Sequence, residues 1–156
     1  MRRFLFALLF FLPAAPSHAW NAAGHRLVAV IAWQQLSPAS REAIATTLAG
    51  HPDHARWAER ARSEDAVDIF AEAATWPDDI RNDPRFHDEE REPPTPALPG
   101  LTDTARHKRW HYVDLDTSGQ VRDGELERQI NRLTQMLRSA PKKGQNAEPL
   151  PWLLHL

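Results

Sequence analysis

Apolar residues recur every three or four positions in several segments of this chain, which is the spacing of an amphipathic α-helix. The first such segment covers residues 27–33 and ends before Ser37. Ser37 and Pro38 are a favourable pair for the N-cap and first position of a second helix, which is predicted to run to Leu48 and stop at Gly50. The first part of the chain therefore predicts two consecutive helices.

The same spacing continues in the second half of the chain. A third helix is predicted over residues 65–80, and the clearest amphipathic pattern begins at Asp123 and ends before Pro141. A further apolar segment starts at Pro149. The apolar positions of the clearest pattern are Leu126, Ile130, Leu133 and Leu137.

Two stretches depart from the helical pattern. Residues 84–104 are rich in proline and charge, which predicts a mobile surface loop. Residues 109–116, "RWHYVDLD", combine aromatic and β-branched side chains and predict a short extended segment. The fold class that follows is all-α, a mostly helical bundle with one long excursion.

The N-terminus has the layout of a secretory signal. Two arginines precede the apolar run of residues 4–12, and Ser17-His18-Ala19 puts small residues where a signal peptidase reads. The run is much shorter than the roughly 20 residues that span a bilayer. We expect residues 1–19 to be a cleaved signal peptide and Trp20 to begin the mature domain, residues 20–156. The protein is expected to be secreted or periplasmic, without stable membrane association.

Composition narrows the class of protein. The chain has no cysteine, so an exported domain would lack disulfide bonds. A bacterial periplasmic or secreted protein fits this better than a eukaryotic secretory one. A metal site is one alternative source of cross-linking. The formal net charge is −2, which argues against binding nucleic acid through a basic groove alone. Bound metal ions could supply the positive charge instead.

The stretch "SHAWNAAGHR" places His25 close to the predicted N-terminus at Trp20. A free α-amine has a pKa of about 8, so a metal can displace its proton near neutrality. The amine and carbonyl of Trp20 could chelate a metal together with His25. A structural role for a lone histidine remains the alternative.

Two further motifs carry candidate metal ligands. In "TWPDDIR", Asp78 and Asp79 end the predicted third helix, where the negative end of the helix dipole disfavours carboxylates unless a cation is bound. Arg81 follows and could contact an anion. A solvated charge pair is the alternative.

The segment "WHYVDLD" holds His111, Asp114 and Asp116, and His155 lies in the apolar run "LLHL". A histidine among aromatic residues with a carboxylate nearby is typical of a metal ligand and its supporting hydrogen bond. Histidine and aspartate near a strand end are also common without a metal, and His155 could be a core histidine. Each motif alone leaves both interpretations open.

Taken in order, these motifs resemble one family over the whole mature chain. Trp20 with Gly24-His25, then "WPDDIR", "WHYVDLD" and "LLHL" are similar to the single-strand-specific zinc nucleases typified by mung bean nuclease. This S-one/P-one nuclease family is related to the zinc phospholipases C. The resemblance implies a helical bundle, phosphodiester hydrolysis in single-stranded DNA and RNA, and three-prime-nucleotidase activity. Single-stranded nucleic acid and nucleotides would be the substrates of a monomer.

The resemblance also implies roles for the metal ligands. Trp20, through its amine and carbonyl, and His25 would bind one zinc. A second zinc would be bound by Asp78, His111 and His155. Imidazole and carboxylate ligands without thiolate suit a catalytic zinc with open positions.

The remaining site residues follow from the same resemblance. Asp114 would lie near the N-terminal amine, and Asp116 near the attacking water or the scissile phosphate. Arg81 stands where the family carries a cation near the phosphate. Tyr112 would stack on a base, which favours unpaired nucleotides.

The sequence departs from the family after "LLHL". The family continues there with a Gly-Asp and a His-Gln-Pro-Leu-His stretch that this sequence does not contain. The family carries three zincs per complete domain, whereas these residues could form two partial sites at most. The chain resembles a C-terminally truncated member, with an incomplete bundle and poor or no activity expected. The alternatives are a phospholipase C-like phosphodiesterase and a non-catalytic exported metal-binding module.

Overall fold

The computed structural model describes residues 21–139 and 147–156, which are mostly helical. Two short strands, β1 (Val113–Leu115) and β2 (Val121–Gly124), form an antiparallel pair. The predicted all-α class is confirmed, with a small hairpin added. No helix in these two ranges is long and apolar enough to cross a membrane. The α-helices are α1 (Ala22–Gln35), α2 (Pro38–Ala49), α3 (His54–Ala61), α4 (Ala66–Ala73), α5 (Trp76–Asp79), α6 (Leu126–Ser139) and α7 (Pro149–His155).

Side-chain caps begin the first two helices. The side chain of Asn21 accepts a hydrogen bond from the backbone N–H of Gly24 at 3.1 Å, and Ser37 accepts one from Ser40 at 3.1 Å. Each cap satisfies a backbone donor that has no partner within its helix. Pro38 occupies the first turn of α2, as predicted.

Helix α4 lies at the centre of the bundle, with α1, α2 and α3 packed against it and α7 in contact. Residues 69–77, which extend from α4 into the start of α5, are all buried. The second half of α4 therefore has no face toward solvent. Burial of each large apolar side chain contributes about 1.5–3 kcal/mol. The largest fully buried side chains include Trp57, Phe70, Trp76 and Phe86.

The predicted helix over residues 65–80 is wrong in its extent. The chain turns at Thr75, and two shorter helices, α4 and α5, replace it, followed by a 3₁₀ turn over Ile80–Asn82. Pro77 explains the break, because a proline inside a helix lacks the required N–H and its ring clashes with the carbonyl four residues earlier. In the structure Pro77 lies in the first turn of α5, where no intrahelical donor is needed.

Helix α3 has no counterpart among the predicted helices. Its eight residues, "HARWAERA", contain one large apolar side chain, Trp57, which is 1% exposed. A single anchor gives no period from which a helix could be recognised. The helix ends where Arg62 adopts a left-handed conformation, with φ of 52°.

The stretch over residues 84–104 contains no helix and most of its residues are exposed, and it is packed into the fold at several points. Its mobility stays a prediction. Phe86, Leu101 and Thr104 are buried. The backbone N–H of His87 donates to the carbonyl of Thr104 at 3.0 Å, and the carbonyl of His87 accepts from Arg106 at 2.9 Å. These bonds fold the stretch back onto itself and leave its proline-rich middle between two anchored ends.

The predicted extended segment over residues 109–116 divides into two parts. A 3₁₀ turn over Lys108–His111 comes first, and β1 follows it. In the hairpin, Val113 pairs with Gly124 and Leu115 with Val121. The 3₁₀ turn directs His111 toward α7, while β1 continues away from it into the hairpin.

Candidate metal centre

Three side chains from three different helices meet in the structure. His25 of α1, Asp78 of α5 and His155 of α7 each offer one ligand atom, and these atoms lie within 4.8 Å of one another. Nε2 of His25 is 3.9 Å from Oδ2 of Asp78, and Nε2 of His155 is 3.8 Å from Oδ1. These separations are too long for hydrogen bonds. They suit ligand atoms gathered around one or two cations, with each atom about 2.0–2.2 Å from its metal.

Local structure fixes each of the three positions. His25 lies in the first turn of α1, just after the Asn21 cap, and Asp78 lies in the short helix that Pro77 separates from α4. Nδ1 of His155 is 2.9 Å from the carbonyl oxygen of Ala74. Because a carbonyl only accepts, Nδ1 carries the proton, and Nε2 faces Asp78 with a free lone pair.

The imidazole rings form a compact group. The rings of His25 and His155 stack with centroids 4.0 Å apart, and the ring of His111 meets His155 edge-on at 4.8 Å. Protonating two rings at this distance would place like charges together without intervening solvent. The packing therefore favours the neutral form of all three histidines.

His111 carries two buried ring nitrogens that lack partners. Within the described residues, neither Nδ1 nor Nε2 makes a hydrogen bond. An unsatisfied buried polar group costs about 1–3 kcal/mol, so such groups in native proteins usually bind an ion, a ligand or water. Their position beside His155 marks His111 as a fourth candidate ligand.

Burial lowers the pKa of all three histidines. It is the largest cause for His25, His111 and His155, and the pKa of His155 falls to about 4. The positive charge of Arg81 lowers the pKa of His25 and His111 further, whereas Asp78 opposes the shift. The rings are therefore neutral at pH 7, and metal binding there does not compete with protons.

Asp78 and Asp79 lie in the first turn of α5, and each meets an arginine. Nη2 of Arg81 is 2.9 Å from Oδ1 of Asp78, and Arg60 pairs with Asp79. The prediction that these aspartates end a long helix is wrong, because the chain breaks at Thr75. Because α5 has only four residues, they are its last two residues as well as part of its single turn, and a helix dipole neither favours nor opposes their carboxylates.

A cleft of about 680 Å³ opens over the cluster. Arg81 and the ligand-type side chains line this cleft together with apolar side chains from α1, α6 and α7. The cleft thus offers a cation and candidate metal ligands next to an apolar wall. Its lining residues are His25, Val28, Asp78, Arg81, His111, Leu126, Leu154, His155 and Leu156.

The other predicted site residues lie elsewhere or cannot be placed. Asp114, Asp116 and Tyr112 follow His111 in the chain, are exposed, and do not line the cleft. Trp20 lies outside the described residues. The roles of these four residues stay predictions.

Asp116 has a structural task in the turn between the two strands. Its Oδ1 accepts hydrogen bonds from the backbone N–H of Ser118 at 2.8 Å and of Gln120 at 3.0 Å. These bonds lower the pKa of the Asp116 carboxyl, with the hydroxyl of Ser118 as the largest contributor. The carboxylate is therefore charged and held in the hairpin turn.

The comparison with known families bears directly on this cluster. The family model described as S1/P1 Nuclease matches residues 20–156. The chain belongs to the S1/P1 nuclease family. No curated protein and no solved structure gives a significant match. Membership implies a hydrolase that acts on phosphodiester bonds of nucleic acid.

The donor set of this S1/P1 nuclease fits zinc. Imidazole nitrogens and a carboxylate oxygen are ordinary zinc ligands, and zinc sites without thiolate are typical of catalysis. The hydrogen bond from Nδ1 of His155 to a backbone carbonyl is the usual support for a zinc-bound histidine. Within residues 21–139 and 147–156 no protein group satisfies the ring nitrogens of His111, which adds a further candidate ligand.

Part of this nuclease site carries no recognisable signal in the sequence. The carbonyl of Ala74 orients His155. Because every residue has a backbone carbonyl, the identity of residue 74 gives no sign of this role, which depends on the turn at Thr75. The apolar wall contributed by Val28 and Leu126 likewise looks like ordinary helix surface in the sequence. Both features depend on how α1, α4, α6 and α7 pack together.

Proposed function

We propose that this S1/P1 nuclease is a zinc-dependent endonuclease that hydrolyses phosphodiester bonds of single-stranded DNA and RNA, with three-prime-nucleotidase activity. The observation that carries the proposal is the convergence of His25, Asp78 and His155, with ligand atoms within 4.8 Å. The unpartnered nitrogens of His111 next to this cluster add weight. Neutral rings at pH 7 make the group ready to bind a divalent metal.

We assign these side chains to two zinc ions. Asp78, His111 and His155 would hold one, and His25 with the amine and carbonyl of Trp20 would hold the other. The orientation of Asp78 supports this division, because Oδ1 faces His155 while Oδ2 faces His25. A carboxylate between the two ligand sets would lessen the repulsion of two nearby cations.

Zinc held by these residues would supply Lewis acidity, which stabilises negative charge on a phosphate and lowers the pKa of a bound water. The chain adds Arg81, whose exposed guanidinium lies 2.9 Å from Asp78 at the cleft. A guanidinium donates two parallel hydrogen bonds to phosphate oxygens. The positive field would thus come from the metal and one arginine, which is compatible with a net charge of −2.

The segment after His111 would contact the nucleotide. Tyr112 is 38% exposed, so its ring is accessible to solvent and would stack on a base. Bases in a duplex have both faces covered, which would explain a preference for single strands. We propose Asp116 near the scissile phosphate and Asp114 near the N-terminal amine, as in the family.

We further propose that the protein acts as a monomer in the periplasm or outside the cell after cleavage behind Ala19. Only a free amine at Trp20 could chelate a metal. Intact-mass analysis of exported protein is expected to give a chain that begins at Trp20. A mature chain with another N-terminus would remove Trp20 from the proposed ligands.

The test is hydrolysis of single-stranded DNA by the purified mature chain, with duplex DNA and phosphatidylcholine as comparison substrates. We expect zinc-dependent cleavage of the single strand, stopped by EDTA and by Asp78→Asn. Asp83→Asn is the control, because Asp83 pairs with Arg56 and Arg85 and is not among the proposed ligands.

The possible outcomes separate the alternatives. Preferential hydrolysis of phosphatidylcholine would identify a phospholipase C-like enzyme instead. Zinc binding without hydrolysis of any substrate would favour a metal-binding module. Absence of zinc binding would refute the proposed function.

A further inference from the structure

Glu72 is a buried carboxylate that none of the roles above uses. It lies in α4, and its side chain is 9% exposed. Burying an unpaired carboxylate costs several kcal/mol, so a charged group in this position must be paired and hydrogen-bonded. Its partners are two arginines from two other helices.

The first partner is Arg26 of α1. Its Nε is 2.7 Å from Oε1 of Glu72, and its Nη2 is 3.1 Å from Oε2, so the pair is bidentate. Such a pair fixes the orientation of both groups as well as their distance. Arg26 directly follows His25 in the chain, so this pair restrains the backbone that carries the first ligand.

The second partner is Arg60 of α3, whose Nε is 2.7 Å from Oε2 of Glu72. The same guanidinium pairs with Asp79, the residue after Asp78. It also donates from Nη2 to the hydroxyl of Thr75 at 3.0 Å. Arg60 therefore connects Glu72 to the short helix that carries the second ligand.

The third ligand, His155, is connected to Glu72 through the turn at Thr75. The hydroxyl of Thr75 donates to the backbone carbonyl of Glu72 at 2.8 Å. Thr75 is adjacent to Ala74, whose carbonyl accepts the hydrogen bond from Nδ1 of His155. The two arginines and this turn thus connect one carboxylate to the backbone beside all three clustered ligands.

We propose that Glu72 is a positioning residue for the metal centre: through Arg26 and Arg60 it holds His25, Asp78 and His155 in register with one another. It touches no ligand atom itself and acts only through its partners. This inference rests on the proposed zinc site. It predicts that loss of the Glu72 charge weakens metal binding more than it would if Glu72 served stability alone.

The test compares Glu72→Gln with Asp83→Asn in the full mature chain. Both variants neutralise a carboxylate paired with two arginines, and the Asp83 side chain is similarly shielded, at 11% exposed. The arginines around Asp83, Arg56 and Arg85, also pair with Asp53, and neither is adjacent in the chain to a proposed ligand. Zinc affinity is measured by competition with a chromophoric chelator, and stability by urea unfolding in EDTA.

We expect Glu72→Gln to weaken zinc binding by about 10–100-fold, as for other groups that orient metal ligands. Asp83→Asn is expected to lose stability while it keeps wild-type zinc affinity. The absorption spectrum of bound cobalt(II) is expected to change for Glu72→Gln alone, because it reports ligand geometry rather than stability.

Arg26→Met keeps the proposal testable if Glu72→Gln does not fold. It removes the connection to α1, retains the apolar stem of the side chain, and is expected to weaken zinc binding in the same direction. Equal zinc affinity in wild type and in the folded variants would overturn the positioning role, as would an equal loss in Asp83→Asn. A wild-type chain that binds no zinc would instead refute the proposed function.

Discussion

Replacing Trp152 with alanine is expected to destabilise the protein strongly, because this side chain joins α7 to the segment that carries His111. Its indole is 3% exposed. Its ring centroid lies 5.0 Å from that of Trp110, 5.7 Å from Trp76 and 5.8 Å from His111, in tilted or edge-on contacts. Removing it would leave a cavity between α5, α7 and the 3₁₀ turn over Lys108–His111.

The size of the effect follows from the buried surface. A buried tryptophan removes about 150–250 Å² from water, and at about 25 cal/mol per Å² this is worth roughly 4–6 kcal/mol as an upper estimate. Truncations of tryptophan to alanine in protein cores cost about 3–5 kcal/mol. We therefore expect Trp152→Ala to lose about 3–5 kcal/mol, a large share of the 5–15 kcal/mol typical of a domain.

Urea unfolding followed by circular dichroism measures this change. Trp152→Phe retains an aromatic ring and is expected to lose about 1–2 kcal/mol. Leu115→Ala is the control, because Leu115 is 59% exposed and is expected to change stability by less than about 0.5 kcal/mol. A loss below about 1 kcal/mol for Trp152→Ala would refute the packing described for α7.

Two further predictions concern the hairpin and a buried histidine. Gly124→Ala is expected to cost at least about 2 kcal/mol in urea unfolding, because φ is +87° and a Cβ would come within 2.2 Å of the carbonyl oxygen of Tyr112. Gly119→Ala, with φ of +80° and open space, is expected to cost only about 1–2 kcal/mol, and equal losses would contradict this reasoning. Burial lowers the pKa of His51 to about 4, so the unfolded chain binds more protons between pH 6.5 and 4 and stability falls as the pH falls through that range. His51→Asn keeps an acceptor for the backbone N–H of Asp53, and its stability relative to wild type is expected to rise by up to about 3 kcal/mol between pH 7 and 4; a constant difference would show that His51 does not titrate this way.

The helical class could be predicted because the apolar period is sustained in α6 and because Ser37 and Pro38 mark the start of α2. The break at Thr75 could also have been predicted from the sequence, because Pro77 disrupts a helix interior. Helix α3 could not be predicted, because Trp57 is its one large apolar anchor. Its helical state depends on packing against α4, which sequence spacing does not contain.

Some residues of the candidate site could likewise be predicted from the sequence, and others could not. His25, Asp78 and His155 lie far apart in the chain, so no local spacing could bring them together, and only the family resemblance assigned all three to zinc sites. Glu72 had no signal at all, because a glutamate in an apolar segment is usually exposed. Its role depends on Arg26 and Arg60, which approach it only in the folded chain.

The most direct test of the metal centre is anomalous diffraction at the zinc absorption edge from crystals of the mature chain grown with zinc. We predict zinc bound by Asp78, His111 and His155, and by His25, with metal–ligand distances of about 2.0–2.2 Å. Crystals of Asp78→Asn are expected to lack this zinc. Zinc bound elsewhere in the wild-type protein, or no zinc beside these four residues, would contradict the account.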